Sequence, residues 1–281
     1  MFSRFKRLKQ IGYVLAKYGL SGFVPSQLLR LMGIEKNDED GRPYAKLTVG
    51  EKLCGAFEEL GPTYIKLGQL LSIRQDIVPE EIASELKKLQ DQVRPVPFTE
   101  IKPIIEMELG GDIDEIFSHF NEKPLAAASI SQVYEAVLRE DDEHVIVKVR
   151  KPGIVEDIKN DTEILFWIAD LMQRQSSLAK QFDFRRIVEE FFLAMKDELD
   201  LLIEKRNTEQ LAENSADTFG GSVVFPTMHS RYCTSSLLVM NQIRGAKLYD
   251  FIAKSDADKR RKAADVGMRL FFKKIGRASC R

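Results

Sequence analysis

The chain has 281 residues, 42 lysines and arginines against 43 aspartates and glutamates, a net charge of -1 and 44% hydrophobic residues. That is enough apolar material to bury a core, and the balanced charge lacks the basic excess of a nucleic-acid-binding surface, so no nucleic-acid partner is expected. Cys54, Cys233 and Cys280 are an odd number with no CxxC pair, and His119, His144 and His229 lack metal-ligand spacing, so a reducing compartment and no structural metal are expected.

The first thirty residues carry Arg4, Lys6, Arg7, Lys9, Lys17 and Arg30 before the first acid, Glu35, with Phe2, Phe5, Leu8, Val14, Leu15 and Tyr18 interleaved at helical spacing. Two readings stay open for residues 1–35: a basic amphipathic helix on an anionic membrane surface, or a helix packed on the rest of the protein with its basic face in water. Residues 36–46 are polar and turn-rich and read as a linker. Leu53, Phe57, Leu60, Ile65, Leu67, Leu70 and Leu71 then recur at helical intervals, broken by Gly61-Pro62, which predicts a helix, a sharp turn and a second helix. A further helix is predicted from Pro79-Glu80-Glu81 to the prolines of DQVRPVPF, and a short one over FTEIKPIIEMEL closed by Gly110-Gly111.

Beyond Pro124 the texture changes. VYEAVLRE and VIVKVR flank the polar turn DDEH and predict a β-hairpin. Helices are predicted from about Pro152 to Arg174 and from Phe184 to Ala216, followed by SVVFPTM and SSLLVMNQI as two strands and a last helix from about Ala257. This order fits a mixed α+β domain with a helical leader better than alternating βαβ units, and no internal repeat supports a solenoid. No apolar core suits a secretory leader and no run of about 18 apolar residues marks a membrane span. The expected location is cytoplasmic and peripheral to a membrane.

Three features could carry chemistry. Lys148 lies in the strand VIVKVR, where a desolvated ammonium calls for an anion or a paired carboxylate; the plainer reading is a lysine on the exposed face of a half-buried strand. Upstream, Ala126, Ala127, Ala128, Ser129, Ile130, Ser131 and Val133 form a small-residue loop leading into a strand, where protein kinases carry GxGxxGxV over the nucleotide phosphates. Ala126, Ala128 and Ser131 stand where the glycines would be. Downstream, MKDELDLLIEKRN reads as a single helix with Asp200 and Glu204 on one side and Glu198 off that line, although an acidic helix face is ordinarily just solvated.

The loop AAASISQV, the VIVK strand, the ELDLLIEKRN helix and above all GPTYIKLGQLLSIRQDIVPEE resemble the UbiB family of atypical kinases, also described as aarF-domain or ABC1-type, over roughly residues 47–275. Lys66, Gly68 and Gln69 match its KxGQ motif, and Glu198 with Asp200 its ExD motif. The resemblance implies a kinase-like small lobe with an amino-terminal helical KxGQ extension and only the start of a large lobe. The expected segments are a leader (1–35), a linker (36–46), the KxGQ extension (47–118), the small lobe (119–243) and the start of the large lobe (244–281). It further implies ATP and Mg²⁺ as cofactors, a Lys148–Glu204 ion pair, Lys66 and Gln69 pointing into the nucleotide pocket, and an adenine edge met by main-chain groups of Met240 to Gln242. The implied activity is an ATP-dependent kinase or ATPase linked to ubiquinone biosynthesis, with a quinone-like lipid or an anionic membrane surface as possible partners. The alternative is a nucleotide-sensing or membrane-docked module without phosphoryl transfer.

Asp250, Asp256, Asp258 and Asp265 follow the hinge-like strand, and none begins a sequence like the family's catalytic loop or metal-binding Asp-Phe-Gly. The chain is therefore expected to end before the catalytic residues of a longer protein.

Overall fold

A computed structural model describes residues 2–20, 46–89, 94–175, 184–219 and 221–278; most of the expected linker and the end of the leader lie outside these. In chain order the elements are α1 (Phe2–Lys17), α2 (Val49–Leu60), α3 (Pro62–Ser72), α4 (Glu80–Leu86), α5 (Phe98–Leu109), α6 (Ile113–Ile116), β1 (Phe117–Phe120), β2 (Ala126–Ala127), β3 (Ser131–Leu138), β4 (His144–Arg150), α7 (Ile154–Gln175), α8 (Phe184–Leu199), α9 (Leu201–Phe219), β5 (Leu237–Asn241), α10 (Leu248–Lys254) and α11 (Ala257–Ala278). The fold is mixed α+β. Its contacts define two compact units that interleave in sequence, one of residues 1–101, 125–132 and 150–199, the other of residues 102–124, 133–149 and 200–281.

The first unit is helical, and its local signals are plain. Thr48 caps α2 in a reciprocal box, its hydroxyl accepting from the Glu51 N–H at 3.2 Å while the Glu51 carboxylate accepts from the Thr48 N–H at 2.8 Å. Gly61, at φ +94°, ends α2 by donating its N–H to Phe57 O, and Pro62 opens α3, where its missing N–H has no partner to lose. Phe57, Leu60, Tyr64, Ile65 and Leu67 from these two helices are buried together with Ile158 of α7 and Phe191 of α8. A Cβ on Gly68 would stand 2.3 Å from Leu89 Cδ1 and 2.8 Å from a Phe57 ring carbon, so only glycine lets α3 approach its neighbours this closely.

Helix α1 packs on α2 and α7 through Ile11 and Val14. Its Arg7 grips the Asp161 carboxylate with two hydrogen bonds of 2.6 and 2.7 Å, donates to Leu60 O at 2.8 Å and lies over the Tyr64 ring. Lys17 pairs with Glu59 at 2.7 Å. Of the two readings open for the leader, the described part of it is a packed helix whose outward face carries Phe5, Lys6, Lys9 and Tyr13.

The second unit is built on an antiparallel sheet in the order β1-β3-β4-β5. The β3–β4 hairpin turns through the acidic segment, where Asp142 adopts φ +55°, a conformation that Asp tolerates better than most residues. Val145, Val147 and Val149 of β4 alternate into the core beside Leu237, Leu238 and Val239 of β5. Lys148, on the opposite face of β4, is in register with Leu238.

Three sequence expectations are corrected. The single helix predicted from Phe184 to Ala216 is broken at Asp200, whose carboxylate accepts the Leu202 N–H at 3.0 Å while Arg150 donates to Leu199 O at 2.6 Å, so one helix is closed and the next opened. Asp200 and Glu204 therefore do not share a face of one continuous helix. SVVFPTM is not a strand: Pro226 removes a ladder donor, and only a single bridge joins Met228 to Met240. Strand β1 and helix α10, too short to show a periodicity, were not anticipated.

Candidate functional site

In the first unit the KLGQ residues of α3 have partners of three kinds. Lys66 Nζ donates to Glu198 Oε1 of α8 at 2.8 Å, Gln69 Nε2 donates to Leu89 O at 3.2 Å, and Gly68 is the close-approach position described above. Just beyond α3, Arg74 bonds Asp76 at 2.9 Å and Glu190 of α8 at 2.6 Å. Hydrogen bonds from Arg74 hold both carboxyls below their ordinary values. Glu190 and Glu198 are eight residues apart, which places them on the same side of α8, so two cations from the KxGQ segment meet one helix face. Sequence reasoning missed Arg74, although it lies within the segment that carries the resemblance.

The small-residue loop also belongs to this unit up to Gln132. Ala126 is exposed and Ala127 and Ala128 half-buried, whereas Ser129, Ile130 and Ser131 are buried. The loop closes on itself through the Ala128 N–H, which donates to Ser131 O at 2.9 Å. Lys151, which the sequence reading passed over, donates its backbone N–H to Ile130 O at 2.9 Å and its ammonium to Ala128 O at 2.7 Å. It is buried, and desolvation lowers its pKa below the usual lysine value. The following Gln132, fully buried, is tied to both main-chain groups of Val96.

In the second unit Lys148 Nζ meets Glu204 Oε2 of α9 at 2.6 Å, with the lysine side chain 24% and the glutamate side chain 43% exposed. This is a partly desolvated ammonium held by one carboxylate and still reachable from solvent. Asp200 sits at the opening of α9 rather than on a face beside Glu204. Val133 is half-buried at the start of this unit's portion of β3. At the end of β5, Met240 pairs in register with Ile146, the Asn241 N–H donates to Thr227 O and the Gln242 N–H donates to His144 O. The Gln242 side chain donates to Glu135 at 2.6 Å. The N–H groups of Asn241 and Gln242 thus already have partners within the unit.

Among the described residues no three His, Cys, Asp or Glu side chains are grouped so as to hold a metal ion. Among them, too, no helix is long and apolar enough to cross a membrane.

The KLGQ segment, the hairpin lysine paired with a helix glutamate and the small-residue loop before the hairpin are the features on which the sequence resemblance rests. The chain belongs to the ABC1 atypical kinase-like domain family, whose model matches residues 88–280. It is 35% identical over 281 residues to the probable protein kinase UbiB of Marinobacter nauticus, covering 99% of this chain and 51% of that protein. It is 36% identical over 284 residues to the protein of the same name from Pseudomonas paraeruginosa, covering 98% and 52%. The chain thus spans about half the length of the curated relatives it matches. A solved structure, the Rv3197–erythromycin complex from Mycobacterium tuberculosis, is similar with a TM-score of 0.47 and 24% identity, over 72% of this chain and 50% of that one.

Proposed function

We propose that this chain binds ATP and serves an ATP-dependent kinase or ATPase reaction linked to the synthesis of ubiquinone or a related quinone at a membrane surface. The observation that carries the reading is the Lys148–Glu204 pair: a partly desolvated ammonium still reachable from solvent, oriented by a carboxylate 56 residues away, is a ready partner for phosphate oxygens. Family membership and the protein-kinase name of the relatives point the same way. Bound ATP would supply a transferable phosphoryl group, and Lys148 fits the task of holding its phosphates. Among the described residues no three His, Cys, Asp or Glu side chains are grouped, so Mg²⁺ would be held largely by the nucleotide's own phosphates and water.

Because the Asn241 and Gln242 N–H groups are engaged, recognition of an adenine edge would fall to carbonyls of this strand end or to the main chain after Gln242. A second reading, a membrane-docked regulatory module, is favoured by the outward face of α1, where Phe5 and Tyr13 flank Lys6 and Lys9.

Calorimetric titration of the 281-residue chain with Mg-ATP tests the first reading. Saturable binding is expected, weakened by Lys148→Ala at least about tenfold, or about 1.4 kcal/mol. Absence of binding by the wild-type chain, or equal affinity in the variant, overturns it. Co-sedimentation with anionic vesicles, lost on Lys6→Glu/Lys9→Glu, tests the second.

A further inference from the structure

Besides the Lys148–Glu204 pair, the sheet of the second unit carries another polar pair. Gln242, just past β5, donates its side-chain Nε2 to Glu135 Oε1 of β3 at 2.6 Å. Strand β4 lies between β3 and β5, so the two side chains reach across it, which they can do on one face only. The register says which face. Val145 pairs with Asn241 and the Gln242 N–H reaches His144 O, so Gln242 stands opposite His144. Residues directly opposite share a face and side chains alternate along a strand, so Gln242 and Glu135 lie on the face of His144, Ile146 and Lys148.

That face is a strip with different chemistry at its two ends. From His144 to Lys148 it runs about 13 Å at the rise of a β-strand. Half-buried Ile146, with Met240 opposite it, and half-buried Val133, two residues before Glu135, put apolar surface between the ends. A nucleotide has the same order: phosphates for the ammonium, a flat base for the apolar strip, and a polar base edge for the amide.

The pair also fixes which way the amide points. A carboxylate only accepts hydrogen bonds, so the Gln242 NH2 must face Glu135 and its oxygen must face away. Among the described residues Oε1 and the second Nε2 hydrogen make no further hydrogen bond. One acceptor and one donor side by side complement the 6-amino group of adenine and a ring nitrogen beside it, the bidentate pairing that Gln and Asn make with adenine in nucleic acids.

We infer that Gln242 is a base-reading residue that selects a 6-aminopurine nucleotide through its side chain, and that Glu135 is a positioning residue that fixes the amide for that task. A strand end whose Asn241 and Gln242 N–H groups are spent thereby gains a base contact that needs no main-chain donor. The inference rests on the nucleotide reading above and adds the choice of base to it. Every residue it uses belongs to the second unit.

The test measures, by calorimetry, the affinity of the 281-residue chain for Mg-ATP, Mg-ITP and Mg-tripolyphosphate. Inosine carries an oxygen in place of the amine, which would meet Gln242 Oε1 acceptor to acceptor, whereas tripolyphosphate has no base. The wild-type chain is expected to prefer Mg-ATP over Mg-ITP at least about tenfold. Gln242→Met should erase that preference, and Glu135→Gln, whose amide can donate as well as accept, should lower it at least about threefold. Tripolyphosphate affinity is expected to stay unchanged in both variants. Equal wild-type affinity for Mg-ATP and Mg-ITP overturns the inference without any variant and leaves the nucleotide reading standing. A preference that survives Gln242→Met overturns it too, as does an equal loss of Mg-ATP and tripolyphosphate, which would mark damage around Lys148. A preference intact in Glu135→Gln overturns the positioning role. Failure of the wild-type chain to bind any of the three removes the nucleotide reading and the inference with it.

Discussion

Replacing Arg7 by Met removes the cation from a carboxylate that has almost no access to water. The Asp161 side chain is 1% exposed and both its oxygens accept from Arg7, while the guanidinium also caps Leu60 O at the end of α2. Asp157 stands nearby, its pKa raised first by burial and then by the charge of Asp161, so the variant leaves acid beside acid. Breaking one side of a buried ion pair costs about 3–5 kcal/mol; the lower end applies here, since Arg7 is 23% exposed and water can partly replace it. For a chain of this size about 3 kcal/mol corresponds to a fall in Tm of roughly 6–12 °C. Circular-dichroism melts at neutral pH measure it directly. The same drop is expected in low and moderate salt, because a pair this buried is weakly screened. The double variant Arg7→Met/Asp161→Leu is expected to regain most of the loss, giving a large coupling in the cycle. A Tm shift under about 1 °C, or a double variant as unstable as the sum of the singles, would refute the reasoning.

Gly68→Ala sets two effects against each other. Alanine favours the helix by about 1 kcal/mol, but its Cβ would collide with Leu89 and the buried Phe57, and overpacking of this kind costs about 1–3 kcal/mol. A net loss is expected in urea unfolding; a gain would show that α3 and its neighbours separate easily. The Arg74 ties should appear in the acid limb of stability. Asp76 and Glu190 have folded pKa values below their unfolded ones, so their contribution is fully present above the ordinary carboxylate range and disappears as pH falls through the lowered folded values. Glu190→Gln should accordingly lower Tm slightly at pH 7 and not at all near pH 2, and a difference that grows on acidification contradicts the assignment.

Where a structural feature depends on neighbours in sequence, it was legible before any coordinates. The Gly61-Pro62 turn, the closing glycines after α5 and the hairpin around Asp141-Asp142 all rest on contacts within a few residues. The break at Asp200 was equally local, since Asp is a strong N-cap, but helix-forming residues on both sides masked it. Pro226 likewise argued against the strand SVVFPTM, and its apolar neighbours outweighed it.

The sequence by itself determined the class of elements, the family resemblance and the residue types available for holding phosphate. The tertiary structure decided which of them meet. Lys66 with Glu198, Arg7 with Asp161 and Lys151 with Ala128 lie 132, 154 and 23 residues apart, and no periodicity connects them. Such pairs exist because packing brings distant helices and turns to hydrogen-bonding distance. A charge reads the same in sequence whether it faces water or a buried partner, and burial alone separates the two.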